Sequence, residues 1–383
     1  MVDSVAVRPV HGRSDLRRFI RLPHQLYRDD PSWTPHLKTE RRDFLDPRRN
    51  PFFEHAEVAL WLAERRGRTV GRISSHIDHS HLETHGDHVG MFGFFDCEND
   101  PDVVQALVAR AAEWVRERGM QRLRGPLSFS QHHECGLLVE GYSRRPVLGM
   151  PYNPSYLAHL VESCGMEKSM DLLSYTLRRS MADGDVGRLP PELVDLSGKL
   201  AQRTHVTVRE MDFTRFDAEI EITRRLYNEA WRSNWGFVPV SGAEYSKLAH
   251  DLRPAMDRCV SLIAESAGRP VGFALSVLDL NPVLFALNGR LLPFGWLKAL
   301  RSKRKIKELR LILFGVLEQA RGRGADALLI LETLKRSLTH GFNRLELAWV
   351  LETNAPARRL IENLGRGYGV EIGRRHRIYE LEL

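Results

Sequence analysis

The chain repeats itself at a spacing of about half its 383 residues. Three pairs of segments match in the same order: residues 63–71 with 264–272, residues 119–123 with 341–345, and residues 153–165 with 354–365. The separation is 201 positions for the first pair and 222 for the second, so the second half carries 21 extra residues between them. Such ordered self-similarity predicts two halves with the same fold.

The local patterns agree with this duplication. Each half is predicted to hold a β-hairpin with a Gly-Arg turn, a third strand, an amphipathic helix, a fourth strand, a short helix and a last strand. The predicted last strands are residues 172–177 and 378–383. The sequence therefore predicts an α/β protein with mixed sheets and two domains, 1–183 and 184–383, separated by a linker in the turn-rich residues 180–191.

Composition excludes several classes of protein. The chain is 43% hydrophobic and 27% charged, as in ordinary globular proteins and unlike disordered or fibrous ones. No signal-like segment and no apolar run of about 20 residues is found, which predicts a cytoplasmic protein without a spanning helix. The four scattered cysteines form no Cys-x-x-Cys pair and are expected to be reduced thiols.

The positive charge is concentrated in one segment. The whole chain has a net charge of +7, and residues 298–310 alone hold seven bases and one acid. The remainder is therefore close to neutral. Because nucleic-acid binding usually needs a broad basic face, no nucleic-acid partner is expected.

A glycine-containing loop in the second half has the pattern of an anion site. Gln319-Ala-Arg321-Gly322-Arg323-Gly324 joins an apolar strand to an amphipathic helix. Glycines at such a turn let the backbone approach a ligand, and the amides at the helix start bind anions such as a pyrophosphate. An ordinary strand–helix turn is the alternative for this motif taken alone.

The next elements strengthen the interpretation. A strand at residues 344–352 runs into a helix that begins near Asn354, and this pair, following the loop, resembles the GNAT superfamily of coenzyme A-dependent N-acyltransferases. The family loop Gln/Arg-x-x-Gly-x-Gly/Ala is matched by residues 319–324, and a second frame at residues 321–326 ends in Asp326. An acid there would repel phosphate unless it caps the helix.

This resemblance implies a set of coenzyme A contacts. They comprise the strand end, the loop, the helix start and the asparagine after the next strand: Val316, Gln319, Arg321, Gly322, Arg323, Gly324, Ala325 and Asn354. One position departs from the family, because Ile361 stands where a tyrosine often serves as general acid. Tyr368 and Tyr379 are near in sequence but are not assigned this role. A thiolate leaves without much help, so the loss need not abolish transfer.

The first half has the same element order without the loop. Glu98-Asn-Asp-Pro101 occupies the place of the glycines, where its acids would repel a pyrophosphate and its proline lacks a donor. The first half is therefore interpreted as a degenerate copy that shapes the acceptor site. This arrangement resembles tandem GNAT acyltransferases in which one copy retains the cofactor.

Amine acylation needs a base close to the thioester. The candidates are Glu346 on the strand before Asn354, and His133 and Glu134 in the polar run Gln131-His-His-Glu-Cys-Gly136. Glu318 and Glu352 are further strand-end acids, and a solvated surface acid is the alternative for each glutamate. Cys135 is interpreted as a small buried thiol.

Two further segments have open interpretations. Five histidines between His76 and His88 have a composition that can bind zinc, but their spacing matches no firm motif, so a polar hairpin loop is favoured and no metal is expected. The aromatic residues 228–239 fit a wall of the acceptor site or core packing equally well.

The 21 extra residues fall within about residues 281–307. Leucines and aromatics from Leu291 are followed by the basic run that ends at Arg310, a combination that suits the surface of an anionic membrane. A solvated basic helix is the alternative. If this segment binds a membrane, we expect the protein to lie on the inner face of that membrane and the acceptor to be a lipid.

These expectations combine into one reading. The chain is similar to a bacterial group of tandem GNAT-like proteins linked to ceramide formation, which implies transfer of a long acyl group from acyl-CoA to the amine of a sphingoid base. An acetyl-CoA-dependent acetyltransferase of a protein or small amine is one alternative. A non-catalytic module that binds CoA or lipid is the other, favoured by Ile361.

Overall fold

The computed structural model describes residues 4–178, 191–289, 295, 302–303, 305–364 and 370–383, with only the backbone of Leu364. The predicted linker, the 183/184 boundary, Gly365 and Tyr368 lie outside these residues, as does most of the segment 291–304. Within the described ranges, no helix is both long enough and apolar enough to cross a bilayer.

The first half contains the predicted elements in the predicted order. The full set is β1 (Ala6–Pro9), α1 (Gly12–Leu26), α2 (Lys38–Phe44), β2 (Ala56–Arg65), β3 (Arg68–Asp78), α3 (His79–His85), β4 (Val89–Cys97), α4 (Pro101–Arg116), β5 (Arg122–Gly125), β6 (Leu137–Glu140), α5 (Tyr156–Ser163) and β7 (Glu167–Arg178). Three of these elements, namely β1, α3 and β6, are not predicted by the sequence. The β2–β3 hairpin turns through Arg66 and Gly67, both at positive φ, as a tight two-residue turn requires.

From its first strand onward the second half follows the same order, without a counterpart of β6 among its described residues. Its elements are α6 (Pro191–Thr204), β8 (Val206–Glu210), α7 (Phe216–Trp231), α8 (Gly242–Leu252), β9 (Met256–Ser266), β10 (Arg269–Leu278), α9 (Asn281–Leu287), β11 (Glu308–Val316), α10 (Ala325–Thr339), β12 (Arg344–Leu351), α11 (Ala355–Leu364) and β13 (Val370–Glu382). Ala267 and Gly268 form the matching hairpin turn. The two predicted hairpins are therefore confirmed.

The chain forms two compact units that do not coincide with two contiguous stretches. The first unit takes the described parts of Met1–Leu172, Asn281–Ser302 and Arg374–Leu383, and the second takes those of Leu173–Leu280 and Lys303–Gly373. The last strand of each half thus contributes to the unit built mainly from the other half. Hydrophobic periodicity predicts that a segment is a strand, but it does not show which other strand that segment pairs with.

Each unit has a sheet with the same internal order. In the first unit the order is β1-β2-β3-β4-β5-β13, and in the second it is β8-β9-β10-β11-β12 followed by the second part of β7. The pairs β4–β5 and β11–β12 are parallel. The apolar stripe of α4 packs in the core of the first unit, and that of α10 packs in the core of the second.

The extra segment of the second half begins in the first unit. The side-chain amide of Asn281 donates to the carbonyl of Pro146, and the Arg145 guanidinium lies 3.8 Å from the ring centroid of Phe285. These contacts hold α9 on the first unit, although the sequence places it between strands of the second.

Candidate functional site

The parallel strands β11 and β12 pair only over their first halves and then diverge. Glu308–Leu311 pairs with Arg344–Leu347, whereas β11 continues to Val316 and β12 to Leu351 beyond that register. On its other edge, β11 has a register shift against β10 that makes Ile312 an extra residue. Because a bulge bends its strand, β11 turns away from β12 and leaves an opening at the carboxyl ends of the two strands.

One edge of β11 faces this opening. The amide of Leu317 donates to Val271 on the β10 side at 2.9 Å. Since successive peptide groups alternate in direction, those of Phe314 and Val316 point to the opposite edge. Their carbonyls accept from Trp231 Nε1 at 2.8 Å and from Arg321 Nε at 3.2 Å, and their N–H groups point the same way.

The glycine loop lies directly after this strand. Gly322 has φ +67° and Gly324 has φ +102°, conformations that side chains rarely adopt. A Cβ on Gly324 would lie 2.8 Å from Leu200 Cδ2, whereas one on Gly322 would meet nothing within 4 Å. Helix α10 begins at Ala325, so its first amides lack intrahelical carbonyl partners and its positive dipole end faces the loop.

Asp326 folds back onto this loop. Its Oδ2 accepts from the Gly322 amide at 3.4 Å, and its Oδ1 accepts from the Ala327 amide at 3.0 Å. The acid therefore caps the loop and the helix start. The sequence had left this outcome open, with phosphate repulsion as the other possibility.

The remaining predicted coenzyme contacts surround the same opening. Val316 is buried at the end of β11, Gln319 is exposed in a 3-10 turn, and Arg323 is exposed between the glycines. The Arg321 guanidinium also donates to the carbonyl of Ala230 at the end of α7, so it braces the loop. Their contacts with phosphate stay predictions.

Asn354 begins helix α11 on the other side of the opening. Its Oδ1 accepts from the Ala357 amide at 3.2 Å, which makes it the helix cap. Ile361, seven residues later, is buried in the core of the second unit. Its side chain offers no proton.

Glu346 is buried on β12, one residue before the strands part. Its oxygens accept from Ser174 Oγ at 2.7 Å and Thr176 Oγ1 at 2.8 Å, both on β7, and Arg344 Nη2 lies 3.4 Å away. The alternative of a solvated surface acid is therefore wrong for Glu346, because neighbouring strands cover it. By contrast, Glu318 is exposed and Glu352 half-buried.

Arg310 lies beside Glu346 in the register of the parallel pair. It is 2% exposed, and its guanidinium lies 4.9 Å from the ring centroid of Trp349. Arg310 therefore does not belong to a basic surface run, as the sequence suggested, because it lies inside β11. Lys303 donates to the carbonyl of Pro254, while Leu291, Lys298, Arg301 and Arg304 lie outside the described residues.

The other two predicted catalytic residues lie in the first unit. Glu134 Oε1 accepts from Arg41 Nη2 at 2.6 Å, with His36 Nδ1 at 3.7 Å. Burial alone would raise the pKa of Glu134, but the positive charge of Arg41 outweighs burial and lowers this pKa to about 2. His133 Nδ1 lies 3.0 Å from Ser130 Oγ. The ion pair makes Glu134 a poor base at neutral pH.

The counterpart opening in the first unit is filled by the chain itself. Strand β4 pairs with β5 over Val89–Met91 and Arg122–Arg124, and further along β4 the Phe92 carbonyl accepts from the Leu127 amide at 2.6 Å. A Cβ on Gly93 would lie 1.9 Å from the Leu127 carbonyl oxygen. This close packing leaves no room for a ligand chain along that edge.

The anion position of the first unit holds a carboxylate. Asp100 caps α4 by accepting from the amides of Asp102 and Val103, and it pairs with Arg65. Asn153, the counterpart of Asn354, is bonded to both the amide and the carbonyl of Leu138. These contacts fit the predicted degenerate copy.

The histidine-rich segment is not a hairpin loop. His79–His85 forms α3, because Asp78 caps it and Gly86 ends it. His76 is buried on β3 with Nε2 2.7 Å from the Phe129 carbonyl oxygen, and His81 Nε2 lies 3.0 Å from Asp87 Oδ1. Throughout the described part of the chain, no group of His, Cys, Asp or Glu is arranged to hold a metal ion.

Within the aromatic segment 228–239, one residue packs in the core and another lies at the strand edge. Phe237 is buried and packs on the buried ring of Tyr227, which lies just before the segment. Trp231 is half-buried and donates to the open edge of β11. Sequence reasoning missed Ser174, Thr176 and the edge role of Trp231, since a Ser-x-Thr pattern in a strand carries no signal of its partner.

Comparison with known proteins identifies the fold. The model of the acetyltransferase (GNAT) family matches residues 220–365. A bacterial ceramide synthase from Caulobacter vibrioides is 37% identical over 99% of this chain and 98% of its own, and the protein YghO of Escherichia coli is 34% identical over 98% and 95%. A tandem GNAT protein from the clavulanic acid biosynthesis pathway shares the fold with a TM-score of 0.56, 14% identity, and coverage of 99% of this chain and 98% of that one. With two similar units, a parted parallel strand pair and a full-length relative at this identity, the chain belongs to the GNAT acyltransferase family and is a tandem member of it.

Proposed function

We propose that this chain transfers a long acyl group from acyl-CoA to the amine of a lipid such as a sphingoid base. The observation that carries the proposal is the parting of β11 and β12 above the glycine loop and the start of α10. This opening combines an unpaired strand edge with an anion-binding helix end. An acyl-CoA molecule has the matching parts, namely an amide-containing arm and a pyrophosphate.

The coenzyme would bind along both features. Its pyrophosphate would lie at the amides of Arg323 to Ala325, since the Gly322 amide already donates to Asp326, with Arg321 and Arg323 adding positive charge. Its arm would extend along β11 and accept from the N–H groups of Phe314 and Val316, as an added strand does. This path leads the thioester toward the point where the strands part, next to Glu346.

The chemistry then needs only a positioned amine and a base. The amine nitrogen attacks the thioester carbonyl, the carbon–sulfur bond breaks, and an amide and the coenzyme thiolate form. Glu346 would take the proton that the amine loses. A thiolate is a stable leaving group, since thiol pKa values lie near 8.5, which fits the apolar Ile361.

Two observations support a lipid acceptor. The Caulobacter relative bears the name of a ceramide synthase and aligns over nearly the full chain. In addition, residues 281–307 combine apolar and basic side chains, and Phe285 on α9 is 42% exposed. Such a segment suits an anionic membrane surface from which an amphiphilic amine would be taken.

Binding and turnover of defined acyl donors test the proposal. Acetyl-, octanoyl- and palmitoyl-CoA would be titrated by calorimetry with and without anionic vesicles, and release of the coenzyme thiol would be followed with sphinganine or a small polyamine as acceptor. We expect affinity to rise with chain length and thiol release to require sphinganine. Equal affinity for all donors, with turnover of the polyamine, would instead indicate acetyl transfer. Failure of all three to bind would refute the coenzyme site.

A further inference from the structure

The carboxylate of Glu346 is held by two hydroxyl groups from a different strand. Ser174 Oγ donates to Oε1 at 2.7 Å and Thr176 Oγ1 donates to Oε2 at 2.8 Å. All three side chains are completely buried in the second unit. Each oxygen therefore has its own donor, and this pairing fixes the plane of the carboxylate as well as its position.

Ser174 and Thr176 are spaced so that both hydroxyls can reach the same carboxylate. Residues two apart in a strand project on the same face, so Ser174 and Thr176 reach Glu346 together. Tyr175 between them points to the other face, where it packs in the apolar core and donates to Glu362 on α11 at 3.0 Å. The strand thus has a polar face, on which Ser174 and Thr176 contact Glu346 of the neighbouring β12, and an apolar face that packs in the core.

The surroundings of Thr176 leave its hydroxyl little freedom. A Cβ on Gly373 of β13 would lie 2.4 Å from Thr176 Oγ1 and 3.4 Å from Glu346 Oε1. Only a glycine fits against this hydroxyl–carboxylate contact. The backbone at Gly373 therefore closes over the pair and restricts the rotamer of Thr176.

A purely structural role for this arrangement is unattractive energetically. Burying a carboxylate costs several kcal/mol unless donors compensate it; here the two hydroxyls and Arg344 Nη2, 3.4 Å from Oε2, compensate that cost, whereas an apolar side chain would fill a sheet interior without needing any donor. The buried acid also lies one residue from the point where β11 and β12 part. The need for buried donors and the position next to the strand opening together indicate that Glu346 is a functional group rather than a packing residue.

We propose that Ser174 and Thr176 are positioning residues that orient the Glu346 carboxylate for proton transfer from the acceptor amine. The inference rests on the proposed function, in which Glu346 is the base. The two hydroxyls act through Glu346 and touch neither the coenzyme nor the amine. They hold the carboxylate in one rotamer, so that the amine meets an acceptor already in place.

Steady-state kinetics of isosteric variants test this role. Ser174→Ala, Thr176→Val and the double variant should lower kcat, by ~10- to 100-fold in the double variant, because misplacement of a catalytic group by about 1 Å costs this much. The KM for acyl-CoA and the calorimetric affinity should stay within about twofold. The conservative variants Thr176→Ser and Ser174→Thr keep a hydroxyl and should restore most of kcat.

Two matched controls remove similar hydroxyls elsewhere. Ser276 is fully buried on β10, pairs with Leu311 on the face opposite Glu346, and its Oγ has no partner in the described structure. Thr333 is buried on α10 and donates within its own helix. Ser276→Ala and Thr333→Val should leave kcat unchanged, and thermal melts of all variants would verify folding.

A double-mutant cycle with Glu346→Gln distinguishes the role of Glu346 as the base from the positioning role of the two hydroxyls. In that background, removal of the hydroxyls should cause no further loss of kcat, because they act only through the carboxylate. Additive losses, or an equal loss in the controls, would overturn the positioning role. Full activity of Glu346→Gln would refute Glu346 as the base and the inference with it, whereas an inactive Glu346→Gln beside a fully active double variant would refute the inference alone.

Discussion

Replacing Gly324 by alanine should damage the coenzyme loop far more than the same change at Gly322. Both glycines have positive φ, at +102° and +67°, and both supply only backbone to the loop. The backbone conformation alone costs an alanine ~1–2 kcal/mol at either position. Gly322→Ala is therefore a matched control for Gly324→Ala.

The two sites differ in what the new methyl group meets. At Gly322 nothing lies within 4 Å, whereas at Gly324 the methyl would lie 2.8 Å from Leu200 Cδ2 and 3.1 Å from Thr204 Cγ2 on α6. Overpacking of this kind adds ~1–3 kcal/mol. If the loop shifts to relieve it, the same free energy must be returned when the coenzyme binds, which weakens binding a further ~5- to 150-fold relative to Gly322→Ala.

Calorimetry with palmitoyl-CoA measures this difference directly. Both variants should keep the circular dichroism spectrum of the parent and unfold cooperatively in urea, so that a loss of affinity reports the loop. Equal losses of affinity in the two variants, or unchanged binding by Gly324→Ala, would show that the loop does not hold the coenzyme in the way argued.

Two further predictions concern the first unit. Burial lowers the pKa of His76 to about 4, below the value near 6.5 expected in the unfolded chain. Since the unfolded state binds the proton first, the stability present above pH 6.5 falls by ~3 kcal/mol as the pH drops toward 4. His76→Gln should reduce the slope of unfolding free energy against pH by about one proton in this range, measured by urea titrations at several pH values, and an unchanged slope would contradict the assignment. Gly93→Ala should destabilise the protein by about 3 kcal/mol or more in urea, because its methyl would collide with the Leu127 carbonyl. As a control in the second unit, Gly198→Ala on α6, where nothing lies within 4 Å, should stabilise by ~0.5–1 kcal/mol in the same assay, and similar small effects at both positions would argue against a filled opening.

Local features of this fold were predictable because each depends on residues close in sequence. The cap of α4 at Asp100-Pro101 and the hairpin turns follow from the backbone preferences of single residues. The glycine loop after β11 follows from the same kind of signal. The duplicated order of these elements then gave the fold class.

The burial of charged groups could not be predicted, because it depends on distant partners. Glu346 is covered by hydroxyls 170 and 172 residues away in sequence, so its own surroundings in the chain suggest a surface acid. Arg310 ends a run of bases, which predicts a surface position, yet the parallel register places it beside Glu346 inside the sheet. Likewise, the histidine-rich segment has a polar composition that hides the capping pair Asp78 and Gly86.

The exchange of last strands imposes an order on how this protein can be made. The first unit needs Arg374–Leu383, which pairs with β5, and these residues are synthesised well after those of the first half. At ~5–20 residues per second, the roughly 200 residues that follow the first half take ~10–40 s to emerge from the ribosome. For that time β5 has an unpaired edge, which is a hazard for aggregation. Neither copy of the duplication can be deleted without leaving the other one strand short, so each copy is needed for the fold of the other.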